Sequence, residues 1–142
     1  ESARLSLDGL APNQEGWRLE RPALSESADG TRWLAGLGYS DNYTAVLLAS
    51  STSTGDWQPV VAISAPGMVL PNIAPSWYND TALFGSVQDD SAALCRATHT
   101  GEVDCLSLNT PHLRALAVDG DTAHVVVQED GTWEVRAIAL PW

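Results

Sequence analysis

The stretch HLRALAVDGDTAHVVVQEDGTWEVRAIAL, residues 112–140, decides the fold. Apolar and other residues alternate along Ala123-His124-Val125 and along Trp133-Glu134-Val135-Arg136. A period of two belongs to a strand with one buried face, not to a helix. Asp119-Gly120-Asp121 separates Leu113–Val118 from Ala123–Gln128, and Asp130-Gly131 separates that segment from Trp133–Leu140. Asp-Gly tolerates positive φ and suits tight hairpins. The C-terminal residues therefore read as a three-stranded antiparallel meander.

Working outward, a polar turn ending in Gly recurs before each apolar alternation. It appears as Asn13-Gln14-Glu15-Gly16-Trp17, Ser53-Thr54-Gly55-Asp56-Trp57, His99-Thr100-Gly101-Glu102-Val103 and Glu129-Asp130-Gly131-Thr132-Trp133. No apolar stripe of helical period occurs. Short runs rich in Val, Ile, Leu, Trp and Tyr predict strands at Trp17–Arg21, Thr31–Leu37, Tyr43–Ser50, Trp57–Ile63, Ala82–Val87, Ala92–Thr98 and Val103–Leu108, before the three of the meander. Met68–Leu70 and Ile73–Trp77 are candidates for short strands.

The segment from Arg32 to Trp142 resembles the blades of WD-type and bacterial β-propellers: strand, Asp-Gly turn, strand, Gly turn, strand. The Gly-His and Trp-Asp signatures of WD repeats are absent. Ser27-Ala28-Asp29-Gly30-Thr31-Arg32-Trp33 resembles the Asp-box turn of sialidase-like propellers, one residue short between Asp29 and Gly30; that family's function is not carried over. The resemblance implies a single all-β domain over residues 1–142, with antiparallel blade-like repeats at 31–70, 71–110 and 111–142 after an N-terminal strand segment at 1–30. The expected fold is a partial or split β-propeller, with a β-sandwich as the alternative. Three blades do not close a propeller. The N-terminal strand Trp17–Arg21 is expected either to complete the last blade beside Trp133–Leu140 or to pair with another chain.

Charge narrows the function classes. The chain has 142 residues, with 18 acidic and 7 basic, a net charge of −11. Every basic residue is Arg. Nucleic-acid binding through a cationic patch is excluded as a leading reading, as is adsorption to an anionic membrane. No apolar run reaches the length of a membrane span. The chain begins at Glu1 without an initiator Met or a signal peptide, the form expected of a processed protein.

Cys95 and Cys105 flank the turn at His99-Thr100-Gly101. With a three-residue loop and a left-handed Gly101, Thr98 faces Glu102, Ala97 faces Val103 and Cys95 faces Cys105. Directly opposed positions lie within disulfide range. A bridge implies an oxidising compartment, so the expected location is secreted, extracellular or periplasmic. The sequons Asn42-Tyr43-Thr44 and Asn79-Asp80-Thr81 fit export from a eukaryote.

Candidates for chemistry are few. His99, His112 and His124 lack metal-ligand spacing. No Gly-x-Ser-x-Gly elbow marks a nucleophile. Asp119 and Asp121 supply hard oxygens on a flexible turn, which makes calcium the one metal to consider. The six tryptophans include Trp17, Trp57 and Trp133, each following the repeated turn; their first reading is packing between sheets. Trp77, Tyr78 and Trp142 are expected at the surface and are the candidate ligand-binding residues. The functional expectation is an exported, non-catalytic binding module for a protein or carbohydrate partner, or a homo-oligomer that completes its fold. The alternatives are one part of a composite propeller hydrolase, with His112 or His124 meeting Asp119 or Asp121 in a cleft, and a structural subunit of an extracellular assembly.

Overall fold

The structure, a computed structural model, describes residues 18–40, 43–51, 57–63 and 67–142. These residues form strands and no helix. The strands are β1 (Arg18–Glu26), β2 (Arg32–Ser40), β3 (Tyr43–Ser51), β4 (Gln58–Ile63), β5 (Met68–Val69), β6 (Ser76–Tyr78), β7 (Thr81–Gln88), β8 (Ser91–Ala97), β9 (Val103–Ser107), β10 (His112–Asp119), β11 (Thr122–Glu129) and β12 (Thr132–Ala139). All pairings are antiparallel, and they build sheet 1 (β1-β2-β3-β4), sheet 2 (β5 and β6 on one edge of β7, then β8-β9) and sheet 3 (β10-β11-β12). The expected all-β antiparallel architecture is present, without a closed barrel.

Burial along each strand reports its place in the stack. In β7, Ala82 to Ser86 are buried without a break, so both faces of sheet 2 are covered. Ala82 and Phe84 point to sheet 1, where they join Cys95 and Ala97 against Ala35, Leu37, Val46, Leu48 and Ile63. Leu83 points the other way, with Ala92 and Leu94, against Leu113, Ala123, Val125 and Val127 of sheet 3. β11 shows the strict alternation of a strand covered on one face. Gly85 explains how the sheets come close: a Cβ there would lie 2.9 Å from Leu113 Cδ2. Its place in mid-strand is a packing requirement.

Turn chemistry fixes the register. Gly101 has φ 92°, Thr98 N donates to Glu102 O at 2.9 Å, and Ala97 faces Val103. Cys95 therefore lies opposite Cys105, and the two form a disulfide with Cα atoms 4.1 Å apart. At the β1–β2 hairpin, Ser27 Oγ and Thr31 N both donate to Asp29 Oδ1, at 2.6 and 2.9 Å. These bonds hold the Asp29 carboxyl down at about 2. The Asp-box-like segment thus works as a hairpin clamp.

One expectation changes. β1 pairs with β2, in register from Arg18↔Tyr39 to Glu26↔Arg32, so the N-terminal strand completes sheet 1 and leaves β12 without it. The reason is local: the Ser27–Thr31 turn closes a hairpin between sequence neighbours, which costs far less chain entropy than bringing the strand to β12. The short-strand candidates at Met68–Leu70 and Ile73–Trp77 are met by β5 and β6, which pair to opposite ends of β7. Of the recurrent turns, 13–17 and 53–56 lie outside the described residues, as does Asn42 of the first sequon.

Phe84 is fully buried between sheets 1 and 2. Phe84→Ala is expected to cost about 3–5 kcal/mol through lost burial and the cavity left behind. A urea titration followed by tryptophan fluorescence checks this, with the midpoint falling at constant m.

Candidate functional site

The aromatic residues expected at the surface instead join the sheets. Trp77 is half-buried against the first core, and its Nε1–H donates to Ala23 O of β1 at 2.9 Å. Tyr78 is buried, 7% exposed, and its hydroxyl lies 3.0 Å from Asp121 Oδ1 and 3.0 Å from Trp142 O. Trp142 is half-buried against the second core, with the Arg96 guanidinium 5.2 Å from its ring centroid. Tyr39 does the same elsewhere: its hydroxyl donates to Pro71 O at 2.6 Å, tying sheet 1 to the segment between β5 and β6. A buried aromatic with a polar tip suits such a crossing, because the ring fills the core while the tip satisfies a carbonyl. The expectation of exposure fails for Trp77, Tyr78 and Trp142 because their neighbours in sequence sit at junctions between sheets, where a turn residue meets the next layer.

Asp119 and Asp121 flank the β10–β11 turn, both exposed. Asp121 is already engaged by Tyr78. Among the described residues, no group of three or more His, Cys, Asp or Glu is placed to hold a metal ion. His112 opens β10 and Asp119 closes it, roughly 20 Å apart by strand rise. His124 points to the outer face of sheet 3, as its alternation with Val125 requires, and is exposed. His99, at its hairpin tip, packs its ring 5.4 Å from that of Trp33.

One surface stands out. β12 faces β11 in unbroken register from Thr122↔Ala139 to Glu129↔Thr132. Since Val125 and Val127 point into the core, their partners Arg136 and Glu134 share that inner side. Trp133, Val135, Ala137 and Ala139 then fall on the outer side with Val126 and Ala115. Trp133 is 60% and Val135 69% exposed. The comparable outer side of sheet 1, at Ala45 and Leu47, is buried. The packing role expected of Trp133 is not met among the described residues, where no element covers the outer side of sheet 3 and Trp133 stays 60% exposed. The signal was present in the sequence: a two-residue Asp130-Gly131 turn fixes which side each β12 residue takes.

No protein-family model matches the chain, and no curated protein matches it in sequence.

Burial, followed by the hydrogen bond to the Asp121 carboxylate, pushes the Tyr78 phenol above its ordinary value of 10.0. A raised folded-state value gives stability that is intact below pH 10.0 and is lost as pH rises through the folded value. Chemical denaturation across that alkaline window should show a falling stability that Tyr78→Phe flattens, with Tyr78→Phe itself lowering stability at neutral pH. Equal alkaline slopes in both proteins would exclude Tyr78 as the source.

Proposed function

We propose that this chain is an exported, non-catalytic interaction module with the form of a partial propeller, and that it meets a protein partner through the outer side of sheet 3. The observation that carries this reading is the exposed apolar row of Trp133 and Val135 on a sheet whose other face is already core. Clustered exposed apolar side chains of this size mark contact surfaces. A protein suits the surface better than a sugar. The row is apolar at four alternating positions of β12, and its polar neighbours on β11, Thr122, His124 and Gln128, lie along one side of it, with Gln128 already bonded to Arg114. The Cys95–Cys105 bridge supports export, since such bonds persist in oxidising compartments.

Both cysteines are in the bridge, so Val135→Cys introduces a unique thiol. A benzophenone attached there, in the native surroundings of the protein, is expected to yield one discrete protein adduct. The same probe at Asp89→Cys, on the exposed β7–β8 turn, should yield none, and adding Trp133→Ser should suppress the first adduct. Identical adducts from both positions, or none from Val135, would overturn the reading.

A further inference from the structure

Among the described residues, sheets 1 and 2 each have four strand positions, whereas sheet 3 has three, with β12 at its edge. We infer that the free edge of β12 receives a fourth strand: an extended segment of a partner protein in which apolar residues alternate with Lys or Arg. This rests on the reading of sheet 3 as the contact surface and names what docks there.

The edge is built for pairing. The β11–β12 hairpin turns through Asp130 and Gly131, at φ 48° and 77°, with Glu129 opposite Thr132. Two left-handed residues in a two-residue loop make a type I′ turn, and its flanking residues exchange both backbone hydrogen bonds. Alternation then directs the N–H and C=O groups of Thr132, Glu134, Arg136 and Ile138 to β11. Leu140 N donates to Asp121 O at 2.9 Å, in phase with this. The backbone groups of Trp133, Val135, Ala137 and Ala139 therefore point outward, where no strand meets them among the described residues.

Other edges carry features that resist pairing. β1 has Pro22, a left-handed Arg21 and a register break between Glu20 and Ala23. β4 carries Pro59 and a register break opposite it. β9 has five residues, and β10 breaks register between Leu113 and Ala115. β12 has eight residues, no proline and no bulge. Proteins normally blunt an exposed edge of this kind. An edge left regular while the rest are interrupted is one that pairs.

Charge selects the occupant. On the inner side, where β12 meets the body of the protein, a cleft of about 270 Å³ is lined by Val127, Glu129, Asp130, Thr132 and Glu134. A strand added beside β12 places alternate side chains on that side, where a Lys or Arg meets the carboxylates of Glu129 and Asp130, while Glu134 is already paired with Arg136 at 3.1 Å. Its other side chains fall on the outer face, beside Trp133 and Val135, and are apolar. A second copy of this chain is a poor occupant, because each copy carries −11 and the same acidic cleft.

The probe is a dye-labelled peptide of alternating Val and Lys, matched to the eight residues of β12 and read by fluorescence anisotropy. A Val/Glu peptide of the same length is the comparator. The Val/Lys peptide is expected to bind at least about tenfold more tightly, a gap that narrows with salt. Ala137→Pro removes one outward N–H and leaves the β11 ladder intact; it should weaken binding roughly tenfold at unchanged net charge. If that variant does not fold, Ala139→Pro makes the same test. Equal binding by the proline variant means charge attraction only and overturns the inference, as does no binding by either peptide. A concentration-dependent dimer in sedimentation that Ala137→Pro abolishes assigns the edge to a second copy, which also overturns it. A cross-link from Val135 that persists when peptide binding fails removes the strand and leaves the contact surface standing.

Discussion

Everything in this molecule depends on sheet 2 being buried on both faces. Each of its central side chains has an assigned side: Phe84 toward sheet 1, Leu83 toward sheet 3, and Gly85 where Leu113 comes close. A slip of one residue in β7 would drive Phe84 into the place where glycine is required. Register in the middle layer is therefore enforced from above and below at once, whereas sheet 3 answers to one such neighbour among the described residues. The disulfide adds a covalent tie at the outer pair of that same layer, β8 to β9.

The aromatic residues divide their work by position. Phe84 fills space, while Tyr39, Trp77 and Tyr78 fill space and also satisfy a carbonyl on another sheet or loop. Such hydrogen bonds do more for specificity than for raw stability. Leaving a buried carbonyl without a donor is costly, so each bond penalises a stacking in which the sheets are rotated or displaced. The contrast with Trp133 is instructive. It follows the Asp130-Gly131 hairpin turn, yet its ring is exposed, because no described element packs on that side of sheet 3.

The sequence was most legible where two local signals coincided. The meander at 112–140 combined alternation with Asp-Gly turns, and β10, β11 and β12 form there. The Cys95–Cys105 pairing followed from the position of Gly101 alone, because a tight loop transmits register along the hairpin. Pairing of β1 was not legible from apolar pattern, since Arg18, Glu20, Arg21 and Pro22 carry little of it; the Ser27–Thr31 clamp carried the information instead. Exposure of Trp77, Tyr78 and Trp142 was misread because burial at a sheet junction is decided by a neighbouring layer, which strand periodicity does not describe. The exposed row of sheet 3 needed β12 to carry its apolar residues on the outer side and its charged Glu134 and Arg136 on the inner side, the reverse of what alternation arguments assume.

The sheets pair strands close in sequence, with β5–β7 the one pairing among the described residues that skips a strand, and the widest pairing joins only Arg18 to Tyr39. Backbone pairing thus asks the chain to close short loops, one after another, while contacts between distant parts of the sequence are left to side chains at the two sheet interfaces. Each such closure costs little chain entropy, which favours formation of the individual sheets. The layers can assemble in the order in which the chain is made, with sheet 2 awaiting sheet 3 to cover its second face. A chain interrupted after β9 would present Leu83 and Leu94 to water, a face that only the last three strands cover.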